Sequence, residues 1–230
     1  MLICVSAKSQ DWEPGYIYDT TGVKHAGYIR FAEKSPIKDE AAIVFKQAKN
    51  SPESYYTASA LRSFVMSRDS FIVASQPNNA TWGNYYSFVQ VLFDDSEQKL
   101  YAFYGDPGGT ASNEGSRSHF SLGLGLGAGF GGYGSHFGGG VGAGFAIPLG
   151  GGGSRSYPIG TMFYYGINTS HMKLLTGQNF VDITSQIFGD EPKIVDRLHD
   201  NKYNLGNVDK LLRDYYKEQA RHPVAAAAAQ

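Results

Sequence analysis

The chain has 230 residues, 42% of them apolar and 14% aromatic, which suffices to bury a core and excludes a chain disordered throughout. Its formal net charge of −1 lacks the basic field that binding to a phosphate backbone demands, so no nucleic-acid partner is expected. The single cysteine, Cys4, excludes a disulfide framework and a thiolate metal cluster.

In chain order, Met1–Ser6 is a short apolar run leading into Ala7-Lys8-Ser9, whose small residues are spaced like a signal-peptidase site. Residues 1–10 are therefore expected to be the remnant of a secretory signal, the alternative being an ordinary first strand. No later stretch is apolar over the length that a membrane helix needs.

Residues 11–105 are expected to form a β domain. Tyr16–Lys24 reads as a strand entering a turn, and His25–Phe31 as its return. Ala41–Lys46 and Leu61–Met66 follow. Asp69-Ser70 is the expected turn into a strand over Ser70–Ser75. Asn84–Asp94 is the longest candidate, with Tyr86, Phe88 and Gln90 on one side and Tyr85, Ser87, Val89, Val91 and Phe93 on the other. The polar tip Asp94–Glu97 turns it into Gln98–Tyr104. Short strands between polar turns point to an antiparallel sheet or an open barrel.

Residues 106–156 break this pattern. Leu122-Gly123-Leu124-Gly125-Leu126-Gly127-Ala128-Gly129-Phe130 alternates an apolar residue with glycine, and Val141 to Phe145 repeats it more loosely. Each glycine costs a helix about 1 kcal/mol relative to alanine, and a period of two favours extended chain. Three readings stay open: a flexible linker, a hairpin packed on the β domain or on another copy, and a membrane-inserting hairpin. In the third, Leu122, Leu124, Leu126, Phe130, Val141 and Phe145 face lipid, each arm approaches the ~9–11 residues of a transmembrane strand, and an oligomer pairs the open edges. Gly127-x-Gly129-x-x-Gly132 matches the dinucleotide fingerprint in letters only, because no βαβ unit surrounds it.

Residues 157–222 are expected to supply one strand, within Tyr157–Ile167, and a small helical region. Phe180, Ile183, Ile187 and Phe188 recur at helical spacing, with Asn179 as the expected N-cap. Pro192 opens a second helix that turns Ile194, Val195 and Leu198 inward. Asn207–Tyr216 is the third, with Val208, Leu211, Leu212 and Tyr215 as its buried stripe. Residues 223–230 read as a disordered tail. The expected class is thus α+β: an N-terminal antiparallel sheet or open barrel, a glycine-rich insertion and a small C-terminal helical region.

Gly15-Tyr16-Ile17, Gly22 and Gly27-Tyr28-Ile29 form a repeated G-Y-I pattern, followed by Ile43–Lys46 and Tyr56–Phe64. Together with the helical section Phe180–Tyr216, this layout resembles the uncharacterised exported envelope proteins of Bacteroidota. In some of those proteins an outer-membrane barrel follows the helices, a part not expected here. The resemblance implies an exported protein of the periplasm or the outer-membrane surface. Its expected partner is an envelope protein or that surface, with membrane contact and oligomer formation open through the glycine-rich segment.

Searches for chemistry return structural roles. His25, His119, His136, His171, His199 and His222 show no H-x-x-x-H or H-E-x-x-H spacing, and no G-x-S-x-G elbow occurs. Asp94-Asp95-x-Glu97 lacks the glycine and the distal glutamate of a calcium loop. Asp190-Glu191 stands at a helix start, where carboxylates complement the dipole. Glu13, Glu33 and Glu40 have no evident carboxylate partner. The pairs Tyr55-Tyr56, Tyr85-Tyr86 and Tyr164-Tyr165 divide between core and rim or form a stacking surface for carbohydrate or peptide. The expectation is a non-catalytic protein with no cofactor and no metal. The alternatives are a membrane-inserting oligomer and an enzyme whose site is assembled from distant residues.

Overall fold

A computed structural model of the protein describes residues 12–78, 80, 82–94, 97–105 and 160–221. The signal remnant, the glycine block with its six apolar positions Leu122, Leu124, Leu126, Phe130, Val141 and Phe145, and the tail all lie outside the described residues. Ten strands form one antiparallel sheet, with three α-helices near the C-terminal end of the chain. The strands are β1 (Glu13–Asp19), β2 (Lys24–Phe31), β3 (Ala42–Lys46), β4 (Ser54–Thr57), β5 (Leu61–Met66), β6 (Asp69–Ser75), β7 (Tyr86–Phe93), β8 (Lys99–Phe103), β9 (Met162–Gly166) and β10 (Lys173–Leu174). Their order in the sheet is β10-β9-β8-β7-β6-β5-β1-β2-β3-β4. The helices are α1 (Phe180–Ile187), α2 (Pro192–His199) and α3 (Val208–Arg221). The chain divides into two compact units, and the seam falls inside β7, between Val91 and Leu92.

The first unit curls. β4 and β5 stand at opposite ends of the run β4-β3-β2-β1-β5, yet only the 3-10 turn Ala58–Ala60 joins them. A link of that length spans at most about 14 Å, against about 19 Å for four flat strand spacings. The run must bend until its ends approach. The ring contacts confirm it: Phe31 on β2 lies 5.5 Å from Phe71 on β6, although β1 and β5 separate them in the sheet. Phe64 stacks on Phe71 at 4.8 Å and meets the edge of Phe88 at 5.0 Å. These phenylalanines, with Ile17, Ile29 and Ile43, fill the inside of the curl.

A second seam ties the segment before β3 to the start of β7. Tyr85 and Tyr86 both donate their N–H to the Asp39 carbonyl, Ala41 donates to the Tyr86 carbonyl, and Glu40 and Tyr86 form a parallel bridge.

The repeated G-Y-I pattern has a packing reason. Gly15 and Gly27 face each other in the β1–β2 register. A Cβ on Gly15 would come 2.0 Å from the Val65 carbonyl oxygen, and one on Gly27 would come 2.2 Å from that of Lys46. Two residues on, Ile17 and Ile29 are fully buried. The tyrosines between them point to the other face, as strand alternation requires.

One local expectation is corrected. The β5–β6 turn is Ser67-Arg68, not Asp69-Ser70: Met66 pairs with Asp69, and Ser67 takes φ +55°. Asn179 is the N-cap residue of α1, as expected, and its carbonyl accepts from the Ile183 N–H; its side chain turns away from the helix, Oδ1 accepting from the Thr176 N–H at 2.7 Å and the amide donating to the Leu174 carbonyl. Ser87, Phe88, Val89 and Gln90 are all buried, so β7 is covered on both faces there.

The second unit holds Leu92–Tyr104 and the described residues from Gly160 onward. Leu92, Phe93, Leu100, Ala102 and Phe163 on its strands pack with Phe180, Ile187, Phe188, Ile194, Leu198, Leu211 and Tyr215 on the helices. Phe188 closes this core, 4.7 Å from Phe93 and 4.9 Å from Tyr215. No helix among the described residues is long and apolar enough to cross a membrane.

Candidate functional site

The carboxylates singled out from sequence are engaged in structure. Glu13 accepts from the Ser67 hydroxyl at 2.5 Å, bracing the β5–β6 turn against β1. Glu40 accepts from the N–H and hydroxyl of Ser59, at 3.1 and 2.7 Å, fastening the 3-10 turn. Asp94 pairs with Lys99 at the hairpin tip. Asp190 accepts from the Tyr215 hydroxyl at 2.8 Å and from Gln219, so it ties the approach to α2 onto α3 rather than serving the helix dipole alone. Glu33 is exposed.

Of the histidines, His25 lies 3.1 Å from Asp19, His171 bonds the Asn168 side chain at 2.9 Å, and His199 is exposed. His119, His136 and His222 lie outside the described residues. Among the described residues no group of three or more His, Cys, Asp or Glu is placed to hold a metal ion.

Cations and rings interleave on the outward face of β1–β3. Lys24 lies 3.7 Å above the Tyr16 ring, and Lys49 lies 5.9 Å from that of Tyr28. Trp12 faces both Arg30 and Lys46, at 5.0 and 4.3 Å. Glu53 bridges those two cations at 3.2 Å each, and its carboxyl is held below its usual range, first by the hydrogen bond from Lys46 and then by Arg30. At the Trp12 end of this face two cations thus share one carboxylate. Lys24 and Lys49 carry no carboxylate partner among the described residues.

A cavity of about 560 Å³ opens where the start of β2 meets the end of β3 and the β3–β4 turn. Phe45 and Tyr56, edge to face at 6.0 Å, give it aromatic wall. Lys24 and His25 line its β2 side, the Lys24 ammonium being turned to Tyr16 on the outward face, and Gln47, Ser51 and Ser54 bring amide and hydroxyl groups. Sequence reasoning flagged Tyr56 and His25 separately; nothing in the spacing joins them, and the pairing of β2 and β4 on either side of β3 does so.

The tyrosine pairs separate by environment. Tyr164 is fully buried, and Tyr165 is half-buried against the helical core. Tyr55 and Tyr85 are each 54% exposed and Tyr86 is 40% exposed. Tyr85 and Tyr86 meet edge to face at 4.8 Å on backbone that the Asp39–Ala41 bonds hold, and Ile37, two positions before Asp39, is 48% exposed. An exposed aromatic pair on braced backbone is ready for contact without the entropy loss of ordering a loop.

In the second unit, charge gathers on α3. Glu218 is 1% exposed and lies 3.0 Å from Arg221, 3.4 Å from Lys193 and 3.5 Å from Arg197. Burial works to raise its carboxyl, but Arg221 and Lys193 outweigh it and hold the group below its usual range. Asp214 receives the Tyr203 hydroxyl at 2.8 Å and Lys210 at 3.0 Å. These are ties between α2, α3 and the turn before α3, and each carboxylate has its cation. Comparison with family models, with curated proteins and with solved structures finds no match for the chain.

Proposed function

We propose that the protein is a non-catalytic, exported component of the bacterial cell envelope that works through contacts of its β unit with an envelope protein or with the outer-membrane surface. The observation that carries this reading is the braced, exposed group of Tyr85, Tyr86 and Ile37. Tyrosines anchor protein interfaces because each buries a large ring at the cost of few rotatable bonds, and a rigid backbone lowers that cost further. The engagement of Glu13, Asp19 and Glu40 in turns supports a structural duty for these carboxylates. The resemblance of the G-Y-I segment to exported Bacteroidota proteins supports the compartment.

A photo-crosslinking amino acid placed at Tyr86 in the source cells tests the reading. The expected result is one dominant adduct to an envelope component, absent when the same group replaces the exposed Lys217. Equal adducts at both positions, or recovery of the chain with the cytoplasm, would sink it. A second reading, insertion of an oligomer through Leu122–Phe145, rests on the sequence alternation there, and protease protection appearing only with vesicles would favour it.

A further inference from the structure

We infer that the free backbone edge of β2 at Lys24–Ala26 takes an extended peptide as an added strand, a segment in which acidic and apolar residues alternate. The site shares no residue with the Tyr85–Tyr86 surface and stands independently of the envelope-contact reading.

β2 outruns its neighbour. β3 pairs with it only as far as Tyr28 opposite Lys46, and Lys24, His25 and Ala26 continue against β1 alone. Along a strand, successive residues turn their backbone groups to alternate sides. Asp19 donates to the Val23 carbonyl at the end of the β1–β2 ladder, and Ala32 donates to the Ala42 carbonyl at the end of the β2–β3 ladder. The odd-numbered residues of β2 therefore bond β1, and the even-numbered ones turn toward β3. Past Lys46 this leaves the N–H and C=O of Lys24 and Ala26 with no backbone partner among the described residues, and both residues are exposed. The cavity of about 560 Å³ opens along this edge, with Lys24, His25 and Ala26 in its wall. A row of free N–H and C=O groups is matched by another backbone, which is how an exposed sheet edge recruits a peptide strand.

The side chains set the peptide's pattern. Residues of an added strand share a face with those they oppose and alternate between faces. Opposite Lys24 and Ala26 they stand on the outward face, where the Lys24 and Lys49 ammonium groups lie over the Tyr16 and Tyr28 rings with no carboxylate partner among the described residues. Glu53, on the same face, is taken by Arg30 and Lys46. Acidic residues at these positions supply the missing carboxylates. Between them the strand turns a side chain inward, toward Tyr56 and the Phe45 ring. That ring reaches within 2.6 Å of where a Cβ on Gly27 would stand, next to Ala26, so an apolar side chain fits there.

The probe is a short acetylated and amidated peptide of alternating glutamate and valine, beginning and ending on glutamate. Amide chemical shifts and hydrogen exchange of the full chain read its binding. In the free chain the Lys24 and Ala26 amides should exchange fast and the His25 amide, bonded to Ile17, slowly. The peptide should shift and protect the first two and leave the exchange of His25 as it was. Its Kd should be at least about fivefold below that of the same peptide with lysine for glutamate, the worth of exposed ion pairs. N-methylation of its glutamates should abolish binding, because those residues face the β2 edge. Lys24→Ala with Lys49→Ala, both at exposed positions, should bring the two peptides' affinities together. An Ala26 amide that is already slow in the free chain overturns the open edge. Protection that follows the chain's own concentration assigns the edge to a second copy and overturns the peptide. Equal binding of the glutamate and lysine peptides overturns the charge selection, and no shift with either overturns the site.

Discussion

Asp19 gathers the N–H and hydroxyl of Thr21 and the N–H of Val23 on Oδ1, while His25 stands 3.1 Å from Oδ2. The Thr21 hydroxyl and then His25 hold this carboxyl far below the usual carboxylate range. A depressed folded pKa adds stability that is complete above the unfolded value of about 3.9 and is withdrawn as the pH falls below it. Asp19→Asn keeps an acceptor but has no charge to lose. Urea midpoints followed from about pH 6 to about pH 2 should therefore fall less steeply for that variant; parallel curves would mean the charge is idle. Tyr101 presents the opposite case. It is fully buried, its hydroxyl has no hydrogen-bond partner among the described residues, and burial, with Asp94 adding to it, pushes the group up to about 12. Tyr101→Phe removes a stranded polar group at nearly constant shape and should raise unfolding stability by about 1 kcal/mol. A loss of that size would reveal a partner for the hydroxyl.

The β1–β2 hairpin is the element on which the curl depends, and glycine is what lets it form. Gly15 and Gly27 sit opposite one another where neighbouring backbone approaches within 2.0 and 2.2 Å of their would-be Cβ atoms. A methyl group at Gly27 also meets the Phe45 ring, at 2.6 Å, and that ring forms part of the cavity wall. Gly27→Ala should cost about 1–3 kcal/mol in urea unfolding, the range for overpacking a filled site; an unchanged midpoint would show that the strands can spread. The strands with strong apolar alternation or β-branched runs, β2, β3, β5 and β8, are legible in the sequence, as are the three helices through their 3.6-residue spacing. β4 and β10 are not: Ser54–Thr57 and Lys173–Leu174 are too short to show a period, and pairing alone makes them strands. The β5–β6 turn was misplaced for a related reason, since Ser67 at φ +55° offers none of the glycine or asparagine chemistry that marks such turns.

At the scale of the whole molecule, what sequence hides is closure. The residues of the Tyr85–Tyr86 surface and of the cavity are individually visible as aromatics and polar groups, but the first needs the bridge from Glu40 to Tyr86 and the second the pairing of β2 and β4 with β3, and neither leaves a local pattern. Substitution separates the two proposed ways of holding the chain at an envelope. If the braced tyrosines carry the contact, as proposed, then Tyr85→Ser with Tyr86→Ser should release most of the protein from the envelope fraction. Tyr85 is 54% and Tyr86 40% exposed, and the bonds that hold them to Asp39 and Ala41 are made by backbone, which serine keeps. Serine at Leu122, Leu124, Leu126 and Phe130 should then leave the fractionation unchanged. The reverse outcome, release by the serine block and retention of the tyrosine variant, would transfer the contact to the alternating glycine segment, because hydrocarbon is far less tolerant of serine hydroxyls than a wet protein interface is. Circular dichroism on both variants separates lost contact from lost fold, and sedimentation in added salt separates an aromatic anchor from an electrostatic one, since only the latter weakens as charges are screened.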